Sequence, residues 1–159
     1  MDTKVAIKIF DGFWTVDDAK NNQDSLFIYG DNDIHLGNKG QAIIRGEFNT
    51  AGIPTKKTPH SYSYAYYNDD DYDRNCSNIT KAIQDIKKKI LVSKYKFLIL
   101  PSNGLGTGLA KLPEKAPKTY AFLQQSIGQL IKDVSIPVKV KKNKKLKSNS
   151  VKDKSVNAT

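Results

Sequence analysis

Cysteine is almost absent from this chain, which has one, Cys76, among 159 residues. A single cysteine excludes an intramolecular disulfide, and the sequence has no cluster of histidines and cysteines that supports a zinc site. No apolar run is long enough to cross a bilayer, and the apolar stretch near the N-terminus is too short for a signal peptide. We therefore expect a cytoplasmic protein with no metal, no cofactor and no membrane partner.

Acidic residues are scarce at the C-terminal end. From Lys139 onward there are eight lysines and one acid, Asp153, so this segment carries +7 of the net charge of +10. It has almost no large apolar side chains to offset the entropy lost on ordering. The sequence predicts one domain over residues 1–138 and a disordered basic arm over residues 139–159. The arm is either a solubilising tail or a weak electrostatic contact for nucleic acid, and it lacks interleaved aromatics that would stack on bases.

The two most common nucleotide-binding fingerprints are also missing. The glycines around residues 30–40 do not have the G-x-G-x-x-G spacing of a dinucleotide-binding turn. Those around residues 104–108 lack the Gly-Lys-Ser/Thr ending of a P-loop. An ordinary NAD enzyme or NTPase is therefore disfavoured.

Two glycine-spaced loops are present, each directly after an apolar run. Residues 26–29 lead into a loop with Gly37 and Gly40, and residues 97–100 lead into a loop with three alternate glycines. Glycine lets backbone N–H groups approach a ligand, and a following helix N-terminus favours an anion, above all phosphate. We expect the two loops to face one pyrophosphate from opposite sides.

The apolar periodicity predicts an α/β fold with a mixed sheet and helices on both faces. Expected strands cover residues 4–10, 26–29, 51–56, 96–100 and 134–140, with Phe13, Trp14 and Val16 as a further strand or packed over the sheet. Expected helices cover residues 41–48, 75–92 and 113–132, the first with Ala42, Ile43 and Phe48 inward. Residues 17–25 are expected to be a polar connection and residues 58–75 a loop or lid.

Three blocks of sequence resemble the macro domain superfamily, in particular a compact form from phage and bacterial proteins. The blocks are Gly-Asp-Asn with the G-x-x-G loop, the GIPTKK segment at residues 52–57, and PSNGLGTGLAKL at residues 101–112. The resemblance extends over residues 4–138. It implies a three-layer α/β/α sandwich with a mixed central sheet whose loops bind ADP-ribose or a related NAD-derived nucleotide. For a phage-encoded chain the compartment would be the host cytoplasm.

The resemblance and the loop pattern together predict the ligand-binding residues. Asn32 matches the asparagine that contacts the distal ribose in macro domains, although Asp31-Asn32-Asp33 could equally be a simple turn. The full predicted set is Gly30, Asp31, Asn32, Gly37, Asn38, Lys39, Gly40, Pro101, Ser102, Asn103, Gly104, Leu105, Gly106, Thr107 and Gly108.

Catalytic groups are less clearly indicated. Lys39 is the candidate nucleophile, and Asp31 and Asp33 are the candidate acid–base groups, with His35 and Glu47 as further candidates. Some hydrolytic macro domains carry an acid just after the second glycine loop, where this chain has Ala110. We therefore expect a nucleotide binder. The alternatives are an ADP-ribosyl hydrolase acting on modified protein or nucleic acid, and a nucleic-acid accessory protein that uses the basic arm.

Overall fold

The computed structural model of the protein describes residues 4–136, so the predicted basic arm lies outside the described residues. The strands and α-helices in this range are, in chain order, β1 (Ala6–Phe10), α1 (Val16–Lys20), β2 (Ser25–Asn32), β3 (Thr50–Lys56), α2 (Tyr72–Ser93), β4 (Phe97–Pro101), α3 (Leu112–Lys115) and α4 (Pro117–Val134). Three short 3-10 helices, Gly40–Ile44, Ser63–Ala65 and Asp69–Asp71, lie in the connections. The predicted α/β class is confirmed.

The sheet has the order β1-β4-β2-β3, and all of its described strand pairings are parallel. The expected mixed sheet is therefore wrong for residues 4–136. Each described connection between two strands contains helical structure. This structure returns the chain to the edge of the sheet where the previous strand began, so the next strand runs parallel to it. The start of the strand expected over residues 134–140 is not a strand, because Val134 is the last residue of α4. Ser135 forms an isolated parallel bridge with Val5. The rest of that expected strand, from residue 137, lies outside the described residues.

Each face of the sheet carries its own apolar core, as the alternation along β2 requires. Leu26 and Ile28 point to the face covered by α2 and α4. Phe27 and Tyr29 point to the opposite face, which α1 and the 3-10 helix Gly40–Ile44 cover. Because both faces are covered, β2 is apolar without interruption from Leu26 to Tyr29.

The sequence missed α1, which occupies part of the expected polar connection. Thr15 accepts a hydrogen bond from the Asp18 N–H while the Asp18 carboxylate accepts one from the Thr15 N–H, so the two form a capping box. Trp14 packs over the sheet against Phe10 and Phe27. The capping box fixes where α1 starts and so places Trp14 over this face.

The helix expected over residues 41–48 is instead the short 3-10 helix Gly40–Ile44. The Thr50 hydroxyl donates to the carbonyls of Ile44 and Glu47, which satisfies the end of this turn and stops it. Ala42 and Ile44 are buried, whereas Ile43 and Phe48, which were expected inward, are exposed. The lid expected over residues 58–75 is mostly irregular, and α2 begins within it at Tyr72.

Two glycines provide a matched test of this packing. A Cβ at Gly52 in β3 would lie 2.9 Å from the Asp31 Cβ and 3.0 Å from the Tyr29 ring, whereas a Cβ at Gly128 in α4 meets nothing within 4 Å. Gly52→Ala should lower the free energy of unfolding by about 1–3 kcal/mol because the site is already full. Gly128→Ala should raise it by about 0.5–1 kcal/mol because alanine favours helix. Urea unfolding measures both, and a Gly52→Ala protein as stable as wild type would contradict the packing.

Candidate functional site

A cleft of about 640 Å³ opens at the carboxyl ends of β2, β3 and β4. β2 pairs with β4 only over Ser25–Phe27, so the two strands separate beyond this point. The chain leaves β2 towards β3, whereas it leaves β4 towards α4, which ends beside β1. This is a topological switch point, where ligands bind in parallel α/β sheets, and the volume lies within the usual range for ligand pockets.

Gln41 connects the two strands where they separate. Its Oε1 accepts a hydrogen bond from the Gly30 N–H at 2.8 Å, and its Nε2 donates to the Gly104 carbonyl at 2.8 Å. Its own backbone carbonyl accepts a hydrogen bond from Trp14 Nε1 at 3.0 Å. Gln41 therefore forms the floor of the cleft between the two glycine loops. No local pattern indicates this role, because one glutamine at the start of a short helical segment is not distinctive.

Most of the predicted ligand-binding residues line the cleft. Those that do are Gly30, Asp31, Asn32, Gly37, Asn38, Lys39, Gly40, Asn103, Gly106, Thr107 and Gly108. The fold therefore brings the two loops predicted from sequence to one site. We call residues 33–40 the first glycine loop and residues 102–110 the second glycine loop.

Four predicted residues do not line the cleft. Leu105 is buried in the apolar core below it, and Gly104 supplies the carbonyl that Gln41 binds. Ser102 uses its N–H to bond the Phe10 carbonyl. Pro101 borders a separate small recess next to Trp14. These residues shape the second loop from behind, so we correct their assignment to the ligand-contacting set.

The buried carboxylate of Asp31 organises the first glycine loop. Its Oδ1 accepts hydrogen bonds from Arg45 Nη2 at 2.5 Å and Arg45 Nε at 3.1 Å, and its Oδ2 lies 2.8 Å from His35 Nδ1. Arg45 also donates to the carbonyls of Gly37 and Leu36. One ion pair thereby links the end of β2 to the loop that crosses the cleft.

The pairing sets the charge state of both groups. Burial alone would raise the pKa of Asp31, but the hydrogen bonds from Arg45 and His35 outweigh it and hold that pKa below its ordinary value. The pKa of Arg45 is raised, because its bonds to Asp31 outweigh the opposing effect of burial. Asp31 is therefore an ionised, fully partnered carboxylate, which is a poor proton acceptor for a substrate.

Asn32 uses its side-chain amide within the loop. Its Nδ2 donates to the Leu36 carbonyl at 2.8 Å, and its Oδ1 accepts from the N–H groups of Ile34 and Leu36. This is the turn that we considered as the alternative to a ribose contact. Its amide atoms hold the loop in place although the residue borders the cleft.

Asp33 lies away from the cleft lining, contrary to its predicted catalytic role. Its carboxylate is bound by the Tyr67 hydroxyl at 2.5 Å, by Arg74 and by Asn78. Burial, and then the bond to Asp33, raise the pKa of Tyr67. A register shift between Asp31 and Asn32 breaks the alternation of the strand and turns Asp33 to the other face of the sheet.

The backbone of both glycine loops offers free donors. Within residues 4–136, the N–H groups of Gly37, Asn38 and Lys39 donate to no protein acceptor, nor do those of Gly106, Thr107 and Gly108. These six residues all border the cleft. N–H groups without a protein acceptor at the border of a cleft are available to bind an anion.

Two lysines add positive charge to the cleft. Lys39 is exposed on the first glycine loop, and Lys56 lies at the end of β3. Burial, and then the charge of Lys111, lower the pKa of Lys56. An anion placed beside Lys56 would offset both effects, because it would supply the missing countercharge.

The glycines of the second loop have different roles. Gly106 has φ +79°, and a Cβ there would lie 2.9 Å from the Leu112 Cβ, so this glycine is needed for packing. The sequence predicted a glycine here because a ligand would approach the backbone, whereas the group that a Cβ would meet is the Leu112 side chain. Gly108 has nothing within 4 Å of an added Cβ, and it borders the open cleft.

Exposed apolar side chains also line the cleft, and sequence reasoning missed them. Phe13 is 86% exposed, Leu109 is 61% exposed and Leu36 is 58% exposed. Each follows or lies within a turn containing glycine, so no strand or helix period marks it. They give the anion-competent cleft an apolar surface that could cover a planar ring.

The Asp31–Arg45 pair generates a stability prediction. Asp31→Asn should lower the free energy of unfolding at pH 7 by about 3 kcal/mol, because it leaves Arg45 without its partner. The depressed folded-state pKa means that this stabilisation is full above the ordinary carboxyl value of 3.8 and is lost as pH falls through the lower folded value. Urea unfolding at pH 7 and at pH 3 should show the difference shrinking at acid pH.

The matched control for this prediction is Asp85→Asn, an exposed carboxylate on α2. It should change stability little at either pH. Equal effects of the two substitutions would show that the Asp31 pair does not hold the loop.

Comparison of the sequence with known proteins identifies a family for this chain. No curated protein and no solved structure matches the chain. Among residues 4–136 there is no group of three or more metal-ligating acids, histidines or cysteines, and no helix in that range is long and apolar enough to span a bilayer. Residues 9–126, which include the end of β1, all of β2 to β4, both glycine loops and the cleft, match a family of unknown function (DUF7831), and the chain belongs to that family.

Proposed function

We propose that the cleft binds ADP-ribose or a related NAD-derived nucleotide. The observation that carries the proposal is the convergence of two glycine loops with free N–H groups on one cationic cleft at the switch point of a parallel sheet. The ligand would lie across the gap that Gln41 spans.

The diphosphate of such a ligand would be held by backbone and lysine together. Free N–H groups of both loops would donate to its oxygens, and Lys39 and Lys56 would balance its charge. Arg45 is already paired with Asp31 and would act only by keeping the first glycine loop in place.

The base would pack on the apolar part of the cleft. Phe13, Leu36 and Leu109 are exposed in the free protein, which is costly for large apolar side chains unless they meet a partner. A purine ring would cover them, and a face of Phe13 suits stacking. One site thereby offers both an anion cradle and an apolar surface, which is the combination that a nucleotide needs.

The macro-like reading of the fold belongs to the same proposal. Its support is the sheet with a separate core on each face and with nucleotide-competent loops after two central strands. We interpret this as a macro-like α/β/α sandwich that differs from our expectation in having a parallel sheet. The resemblance in the three sequence blocks is the reason for choosing ADP-ribose over other nucleotides.

The binding prediction uses Gly108. Gly108→Val should leave the fold intact, because nothing lies within 4 Å of its Cβ, but the side chain would enter the cleft beside the free N–H groups. Isothermal titration with ADP-ribose should give saturable binding for the wild type and at least tenfold weaker binding for the variant, a loss of about 1.4 kcal/mol. NAD and AMP serve as comparison ligands.

Gly46→Val is the matched control, because Gly46 is equally open but does not border the cleft. Its affinity for ADP-ribose should equal that of the wild type. Equal binding by the Gly108 and Gly46 variants would remove the second glycine loop from the site, and no binding by the wild type would refute the proposal.

An ADP-ribosyl hydrolase is the alternative, and one observation favours it. His35 Nδ1 faces the Asp31 carboxylate, which is the arrangement that orients a histidine base, and the His35 side chain is 67% exposed. Against it, Asp31 is the one acidic residue among the described residues that line the cleft, and Arg45 already neutralises it. Ala110 borders the cleft where a hydrolytic carboxylate is expected.

We therefore predict binding without turnover. Incubation with ADP-ribosylated protein or oligonucleotide should release less than one ADP-ribose per protein molecule, because no uncommitted carboxylate of the described residues faces the cleft. Chromatographic assay of free ADP-ribose measures this. Many turnovers that disappear in His35→Ala or Lys39→Ala, but persist in Asp85→Asn, would establish the hydrolase instead.

A further inference from the structure

Beside the cleft, the chain folds back on itself after β3 and presents a row of aromatic rings. Lys56 and Tyr66 form an antiparallel bridge, and the N–H groups of Lys57 and Thr58 both donate to the Ala65 carbonyl. Residues 56–66 are therefore a closed hairpin-like loop, which we call the tyrosine loop. At its tip the His60 and Tyr62 rings stack at 5.3 Å, and the Tyr62 and Tyr64 rings stack at 5.1 Å.

This stack is held in place but is open to solvent. The Thr58 hydroxyl lies 3.1 Å from His60 Nδ1, and Lys56 Nζ donates to the His60 carbonyl at 2.6 Å. Yet Tyr62 is 54% exposed and Tyr64 is 64% exposed. An ordered and exposed row of aromatic rings suits a planar partner. The side chains are already fixed in the free protein, so binding costs little further conformational entropy.

Two lysines lie at the base of the tyrosine loop. Lys56 Nζ and Lys115 Nζ lie over the Tyr66 ring, at 4.7 Å and 5.2 Å from its centroid. The loop sequence KKTPHSYSYAY contains no acidic residue. A partner should therefore combine stackable rings with negative charge, and this combination describes unpaired nucleotides rather than an apolar peptide or a neutral sugar.

We propose that the stacked rings of His60, Tyr62 and Tyr64, with Lys56 and Lys115 at the Tyr66 base of the same loop, bind single-stranded nucleic acid. Bases would extend the aromatic stack, and the lysines would face the phosphates. A duplex would bind less well, because its bases are already stacked on one another and cannot reach the rings. This surface adjoins the proposed nucleotide cleft, because Lys56 and Pro59 of the same loop also border that cleft, but the three stacked rings do not line it.

The test is fluorescence anisotropy of a labelled oligothymidylate of about 12 nucleotides, within the site size of single-strand-binding folds, titrated with the full chain. Tyr62→Ala combined with Tyr64→Ala should weaken binding at least tenfold, since the stacks between the bases and both tyrosine rings are lost. The loss should persist as salt is raised, because stacking is less sensitive to salt than phosphate contacts are. The same sequence as a duplex should bind more weakly than the single strand.

Three controls make the result decisive. Phe48→Ala removes a 78% exposed aromatic that also has a lysine, Lys89, over its ring, but it precedes β3 at the opposite end of the sheet from the cleft. Phe48→Ala should not change the affinity for the oligonucleotide. Tyr62→Phe combined with Tyr64→Phe keeps the rings and should bind like the wild type. The alanine variant should keep the melting temperature of the wild type, because both side chains are mostly exposed.

Equal affinity of the alanine variant and the wild type, or equal binding of duplex and single strand, would overturn the proposal. The cleft is tested separately in the same proteins. Gly108→Val should retain oligonucleotide binding, and the tyrosine variant should retain ADP-ribose binding. Failure of one proposal is therefore distinguishable from failure of the other.

Discussion

The site depends on the separation of two neighbouring parallel strands and on the side chain that spans the gap. Past Phe27 and Ile99, β2 and β4 no longer pair, which leaves backbone groups that must find other partners. The Gln41 amide supplies both a donor and an acceptor, to Gly104 and Gly30. Without this bridge the strands would have to close, which would remove the cleft, or leave buried polar groups unsatisfied.

A second constraint acts on the loop above this gap. Asp31 lies at the end of β2, where a carboxylate could serve chemistry, but it accepts bonds from Arg45 and His35 and so holds the first glycine loop. The ion pair is nearly buried on the carboxylate side and is therefore expensive to break. The charge pair and the Asn32 amide together hold the loop, which leaves its glycine backbone free to face a ligand.

The sequence predicted the features that depend on local pattern and missed those that depend on tertiary contacts. Apolar runs followed by glycine turns indicated the α/β class. The two loops that follow these runs lie at one edge of the sheet, because the carboxyl ends of parallel strands share that edge. The role of Gln41 had no local signal. Asp31 and Asp33, two positions apart, were both candidate acid–base groups, but a strand irregularity separates them. A Cβ at Gly106 would meet the Leu112 side chain, a packing contact that the glycine pattern of the loop does not reveal.

The chain has a single tryptophan, and its position makes it an intrinsic optical reporter. The Trp14 indole is 5% exposed, packs edge-on against Phe27 and donates its N–H to the Gln41 carbonyl. Indole emission responds to the polarity and hydrogen bonding around the ring. Any event that displaces the residue at the floor of the cleft would therefore change the fluorescence of the unlabelled protein, with no second tryptophan to obscure the signal.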